Sequence, residues 1–463
     1  MLKNLKRNCI LWILSNLCWI DLCKAYESSS LSAETVVFQN NDLILSGQVS
    51  LSHALLSMHA EEARLLDYHK NNSLPFSSTL LSGNVSLDFQ NRAQLTCNLA
   101  HLDFQTLLGS IESAKDPIIY QDLVRETPLQ IEARQGALKL LNQDLKNQNY
   151  TLESLFLNQD VHIQYGDIFS LYTDEAKFYA GSGVSKEKIH AQPNPIEGIC
   201  KLLYKNNLIH ATSMDIDLST LNMIMTSPQG ILDPLNSSCC TFHADNLYAD
   251  HEDHTFTLTG HAHIENKELG TLDTENSLCI KQDNRSIQTI TCKGLSSLKI
   301  LESKQEHLFT CSDYLVFDKT LLQVTAFSHP TKQNLYTQNN LMICADTTAI
   351  HYTKKESSMK PEKVFFTGNV RIASKGPIPY EGLADTLIYD IASGHASLAA
   401  LPSKKVLFYH ANHHLTISAD ELTIDEDPAT HEPHFEGKGH VRFTFNKQDD
   451  HDLEKPGFFH ASS

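Results

Sequence analysis

The sequence predicts an all-β chain, an elongated antiparallel sheet folded over on itself and written as a repeat in two stacked modules. Three observations predict it. A glycine phrase recurs, reading "LSGQVSL" from Leu45, "LSGNVSLDF" from Leu81, "LTGHAHIE" from Leu258 and "FTGNVRIASKG" from Phe366. An aspartate phrase alternates with it, reading "HADNLYAD", "CSDYLVFD", "CADTTAIHY", "LADTLIYD" and "SADELTID" around Asp245, Asp313, Asp346, Asp385 and Asp420. The last four aspartates lie 33, 39 and 35 residues apart.

In the glycine phrase apolar residues recur at every second position. From Gly47 they are Val49 and Leu51, and from Gly83 they are Val85, Leu87 and Phe89. From Gly260 they are Ala262 and Ile264, from Gly368 Val370 and Ile372, and from Gly439 Val441, Phe443 and Phe445. Period two is the signature of a strand with one dry and one wet face. Glycine at the head of each strand fits a bulge or a close backbone approach.

In the aspartate phrase the residues two and four places on share a mainly apolar face: Leu247 and Ala249, Leu315 and Phe317, Thr348 and Ile350, Leu387 and Tyr389, Leu422 and Ile424. The repeat-equivalent aspartates read as turn or edge residues. A unit of 30 to 40 residues with a few short strands is too thin to bury its own apolar face, so units must stack and the sheet must fold over. Asn206-Asn207, Asp283-Asn284 and Ser393-Gly394 supply turn chemistry between strands.

Before about Thr226 the cadence persists in blurred form, as in "HAEEARLLDY" and "LYTDEAKFYA". The expected organisation is a leader at 1–25, a diverged β module at 26–226, a more regular β module at 227–445 and a charged tail at 446–463. Within Lys115 to Asn149, "EARQGALKLLNQDLK" has the composition of a helix.

The leader has Lys3, Lys6 and Arg7, then a short apolar run from Cys9 to Ile20 and a small residue, Ala25. That is the grammar of a secretory signal peptide, and the run is too short for a comfortable membrane span. Export to the periplasm is expected, with association to either membrane left open. The 463 residues carry a formal charge of −18, which argues against a nucleic-acid partner. No CxxC, P-loop, HExxH or GxSxG occurs, so the chain is expected to be non-enzymatic, with no cofactor and no metal. Cys279 and Cys292 are candidates for pairing across neighbouring strands, with free buried thiols the alternative.

The alternation of a small residue-Asp-x-apolar-x-apolar strand with an apolar-x-Gly-x-Val-x-apolar strand resembles the OstA-like family of periplasmic lipopolysaccharide-transport proteins. The match is densest from Phe242 to Phe445, with echoes from Ala33 to Leu218. The resemblance implies a β-jellyroll open along one side, which holds acyl chains between its walls. It also implies end-to-end strand addition to like transport components, with lipopolysaccharide or a related lipid as ligand. This chain is longer than the family's bridge components and carries about two such modules.

Physically, such a slot needs a continuous apolar lining. The candidates are Leu247, Ile264, Leu315, Phe317, Val370, Ile372, Leu387, Tyr389, Leu422, Val441 and Phe443. The same residues would equally form a closed core. Lys354-Lys355, Arg371 and Lys404-Lys405 are cations that could meet anionic headgroups, or simply solvated loop charges. The alternative function is a structural or adhesive surface β-repeat protein with a filled core; an enzyme on a β-solenoid ranks last.

Overall fold

A computed structural model describes residues 30–445, apart from 54–55, 68–75, 90–91, 123, 143–149, 182–185, 194–197, 234–238, 284–285, 303–304, 356–357, 377–378, 413 and 427–432. The expected leader and tail therefore lie outside the described residues. Those described form forty strands and no helix, and their strand pairings are antiparallel. They divide into two compact units, one up to Tyr204 with Ser213–Ser219, the other Lys205–Thr212 with everything from Thr220 onward.

In the first unit the long strands Asp42–His53, Leu56–Leu66, Ser78–Phe89 and Ala93–Asp103 form a meander. Neighbouring pairs slip register at the same level, between Ser46 and Val49, His59 and Glu62, and Ser82 and Val85. Beyond that line of bulges the sheet is two walls. The first half of Ala93–Asp103 pairs with Ile118–Asp122 and its second half with Leu108–Glu112. The walls meet again in Tyr150–Tyr165, whose two halves pair with Gln135–Asn142 and Leu129–Ala133.

The second unit repeats this plan with more steps. One wall runs from Asn207–Ala211 through Gln229–Leu232, Cys240–His243, Ala262–Asn266, Gly270–Thr274, Ser296–Glu302, Gln305–Cys311, Asn334–Gln338 and Leu341–Ala345. The other runs from Met223–Thr226 through Asn246–Asp250, Thr255–Thr259, Ser277–Asp283, Ser286–Lys293, Tyr314–Asp318, Gln323–Phe327 and Thr347–Lys355. Both walls meet in the single strand Ser358–Ser374, which bulges between Thr367 and Val370 and pairs with Tyr380–Asp390; beyond it they part again into Ala396–Ala399 and Val406–His410.

The glycines and acids of the two phrases therefore sit at corners between walls, with strand on both sides, rather than at strand starts. Gly368 has φ +81° and Asn369 φ 45°; Gly83 and Asn84 have 71° and 45°, and Gly260 and His261 have 70° and 42°. Two successive left-handed residues turn the chain from one wall to the other, which favours glycine first and Asn or His second. An acid from the preceding corner closes each one. Asn369 donates to Asp346 at 2.7 Å and Asn84 to Glu61 at 2.5 Å, while His261 Nδ1 lies 2.9 Å from Asp245 and His440 Nδ1 lies 2.9 Å from Asp420. The Asp346 amide donates to the Gly368 carbonyl, and the Asp245 and Asp420 amides do the same to Gly260 and Gly439. For Glu61, Asp245, Asp346 and Asp420 the acid is the partner of the next glycine corner, whereas Asp385 accepts from the Leu401 amide and Lys404 instead.

As far as it lies within the described residues, up to Asn142, the expected helical stretch is strand. Leu129–Ala133 and Gln135–Asn142 bury Leu129, Ile131, Ala133, Leu138 and Leu140 in period two. Pairing on both sides outweighs a helix propensity worth tenths of a kcal/mol per residue. Cys279 does not face Cys292: it pairs with Thr291, while Cys292 pairs with Leu278. Adjacent positions in a strand point to opposite faces, and both thiols are free.

Candidate functional site

The interior of the second unit is the candidate site, because the two phrases send their apolar residues there. Leu247, Ile264, Leu315, Phe317, Val370, Ile372, Leu387, Tyr389 and Leu422 are all buried. They come from both walls, which places them on one shared seam. Val441 and Phe443 differ. They are 36% and 55% exposed, and Phe445 is more so. The strand Arg442–Phe445 pairs with Leu415–Ala419, and among the described residues no further strand lies beside it to cover them.

The seam is filled by its own side chains. A cavity lined by Ile264, Leu272, Ile290, Leu298, Leu315, Phe317 and Val324 measures about 10 Å³, roughly room for one water. Farther along, Tyr336, Phe366 and Phe408 are among the largest fully buried side chains. The Tyr336 ring lies 4.7 Å from Phe309, 5.7 Å from Phe366 and 5.8 Å from Tyr389.

A polar cluster interrupts this apolar interior. Tyr336 OH donates to Gln338 Oε1 at 2.9 Å, and Tyr389 OH donates to the same oxygen at 2.6 Å. Gln338 Nε2 then donates to Gln305 Oε1 at 2.6 Å. His307 Nδ1 is 2.9 Å from Tyr336 OH. Because the single Tyr336 proton points at Gln338, His307 must be the donor, which fixes its Nδ1–H tautomer. Sequence reasoning missed this cluster, although the signal was present: Asn334, Tyr336 and Gln338 share inward parity, as do His307 and Phe309.

His307 is 1% exposed, and burial holds its imidazole below its ordinary value. The folded chain thus keeps His307 neutral while the unfolded chain protonates it on acidification. Stability from this residue is present above the unfolded value of about 6.5 and declines as pH falls from there toward the lowered folded value. Denaturation midpoints measured across that window should fall with pH, and His307→Gln should flatten the decline. An unchanged slope would remove His307 as its source.

In the first unit a charged clasp lies at the side away from the corners. Arg125 pairs with Asp122 at 2.7 Å and with Glu187 at 2.5 Å, and Arg92 reaches Glu187 at 3.2 Å. Asp122 ends a strand of one wall and Glu187 precedes Lys188–Gln192 of the other, so the ion pairs span the two walls. Among the cations named as headgroup candidates, Lys404 pairs with Asp385 and Lys405 with Asp420. Both serve corners. The Asp385 carboxyl is held below its usual value by the Leu401 amide and then by Lys404. Buried thiols are pushed up, Cys97 and Cys240 to about 12, which makes them poor nucleophiles.

These features define a class: an all-β, folded-over antiparallel scaffold whose two walls are joined along a glycine–acid spine and enclose an apolar seam. No protein-family model and no curated protein matches the chain. Among solved structures it is similar to LptH of Pseudomonas aeruginosa, the LptA-homologous periplasmic component of that organism's lipopolysaccharide transport device. The identity is 9% and the TM-score 0.25, over 32% of this chain and 100% of that one. A score that low carries no argument about this chain, whose architecture rests on its own strand pairing.

Proposed function

We propose that this chain is a non-enzymatic, exported lipid-handling scaffold that takes lipopolysaccharide or a similar amphiphile between its walls during outer-membrane assembly. The observation that carries this reading is the construction of the seam. Its walls are linked covalently along the corner side, while across the far side they meet through side-chain contacts such as Tyr389 to Gln338. Such a sheet can open like a book without breaking a strand ladder. Acyl chains entering it leave water at about 0.8 kcal/mol per methylene. That gain must offset the wall-to-wall packing it displaces.

The OstA-like phrases and the signal-peptide grammar support the periplasm as its location. Exposed apolar residues on terminal strands support partner addition at strand edges. In the first unit Val36, Val37 and Phe38 are half-exposed or more on Thr35–Gln39, and in the second Phe443 and Phe445 are so on Arg442–Phe445. Among the described residues each of these strands has one partner strand; edges of this kind recruit strands from other chains, and like β-jellyroll transport components are the proposed partners.

The cavity of about 10 Å³ favours a second reading, a structural or adhesive β-repeat protein whose core stays filled. Photocrosslinkers at Phe317 and Ile372, in cells making lipopolysaccharide, separate the two. Lipid adducts at both inward positions, and none at the outward neighbour Val316, are expected. Absence of adducts at every inward position would leave the filled-core reading standing.

A further inference from the structure

Two buried donors at the far margin of the seam have no acceptor. Gln282 is 7% exposed and Tyr352 4%, yet Gln282 Nε2 and the Tyr352 hydroxyl make no hydrogen bond among the described residues. Buried donors are ordinarily partnered, because an unmade bond leaves the full cost of removal from water. Two such groups on one wall call for an acceptor from outside the chain.

Their positions correspond. In Ser277–Asp283 the inward residues are Leu278, Ile280 and Gln282, and in Thr347–Lys355 they are Thr348, Ile350 and Tyr352. Gln282 stands six residues past Asn276, which packs on Gly294 at its corner, and Tyr352 six past Asp346, the partner of Gly368. Both donors therefore lie at one depth, the last buried inward positions of their strands. Beside each, the pairing slips register, at Lys281/Gln282 and at His351/Tyr352, a device that re-aims side chains. One row nearer the corners, Ile280, Ile290, Phe317, Val324 and Ile350 pair in succession across five strands. Ile290, Phe317 and Val324 line the cavity of about 10 Å³, so the donors flank it on its far-side margin.

That depth narrows the ligand. A tail entering from the far side, apolar end toward the corners, leaves the carbonyl that attaches it at the margin. The donors are neutral: burial pushes the Tyr352 phenol up and keeps it protonated. Their pairing partners are Ile287 and Pro361. An ionised carboxylate would lose its hydration in such surroundings, whereas an ester or amide carbonyl accepts a hydrogen bond without bringing charge. Ladder steps of about 4.8 Å set the donors roughly 19 Å apart, so each serves its own acyl linkage.

We propose that Gln282 and Tyr352 determine specificity in the seam, Gln282 Nε2 and Tyr352 OH each donating to the ester or amide carbonyl through which an acyl chain is attached. This rests on the lipid-handling reading above and adds the feature of the amphiphile that is recognised.

Calorimetric titration of the full chain with two probes tests it: dioctanoyl phosphatidylcholine, which is ester-linked, and its ether-linked dioctyl analogue, both below their micelle concentrations. The ester is expected to bind about tenfold tighter, since an ether offers no carbonyl. Tyr352→Phe keeps the ring and should reduce that ratio several-fold. It should also raise the denaturation midpoint without lipid, because an unpartnered buried hydroxyl is removed. Gln282→Met should reduce the ratio as well, but it also takes the acceptor from Asn207 Nδ2, so Tyr352→Phe gives the reading that folding cannot confuse. Tyr248→Phe, on the exposed face of the same wall, should leave the ratio unchanged. Equal binding of ester and ether, or a ratio indifferent to Tyr352→Phe, would overturn this inference and leave the lipid-handling reading intact. Binding of neither probe would overturn it too, and crosslinking at Phe317 and Ile372 then decides separately whether the lipid-handling reading falls with it.

Discussion

Replacing Gly368 with valine is expected to destabilise the second unit by at least ~2 kcal/mol. Two costs add. Gly368 has φ +81°, a conformation that costs an L-residue on the order of 1–2 kcal/mol and a β-branched one more. A Cβ there would stand 2.6 Å from Asp346 Oδ2 and 3.0 Å from Asp346 Cβ, closer than real contacts allow. The carboxylate cannot simply step aside, because it accepts from Asn369 at 2.7 Å and from Gln333 at 2.9 Å. Chemical denaturation followed by far-ultraviolet circular dichroism measures the loss. A double-mutant cycle with Asp346→Ala apportions it, since removing the carboxylate relieves the Oδ2 and Cγ part of the clash and leaves the Cβ contact and the backbone part. Additive losses would show that the acid and the glycine do not form one corner.

Tyr336→Ala is expected to cost about 3–5 kcal/mol, the range for removing a large buried aromatic side chain. The ring is 1% exposed and meets Phe309, Phe366 and Tyr389. Tyr336→Phe keeps the volume and removes the hydroxyl that accepts from His307 and donates to Gln338. It should cost less, about 1–3 kcal/mol, because His307 is left as a buried donor without its acceptor while Gln338 retains Tyr389. Against a typical total stability of about 5–15 kcal/mol, the alanine variant should lower the denaturation midpoint visibly. A cost below about 1 kcal/mol would mean that the interior is loosely filled at this level. That outcome would bring the open-slot reading of the seam forward and push the filled-core reading back.

The inward parity of the phrases was legible without coordinates. Leu247, Leu315, Leu387 and Leu422 share position and fate in four copies of one phrase, because period two leaves a side chain only two directions in which to point. Val441 and Phe443 obey the same parity and end exposed. Parity says which way a residue faces and not whether another strand lies opposite. The stretch within Lys115 to Asn149 expected to be helical misled for a related reason. Its helix formers express a local preference, whereas its strands form through partners distant in sequence, such as Leu138 with Leu155 and with Gly109.

The polar cluster, and an outer cleft lined by His243, His263 and Asp273, were hidden more deeply. His307, Tyr336 and Tyr389 are 29 and 53 residues apart in pairs, and no local pattern announces that they meet. His243, His263 and Asp273 lie in three separate strands, so only the register of the ladder sets them in one row.

The sequence by itself determined that this is a repeated, two-faced β chain, because alternation is a property of neighbouring residues and survives in every copy of the phrases. The tertiary structure alone decided that glycine and acid are two halves of one corner. It alone decided that the cavity between Ile264 and Val324 has room for about one water, and that histidines from different strands share a cleft. Each of these depends on which distant strands lie side by side and in what register, and hydrogen-bonded pairing sets that only when the whole sheet has formed.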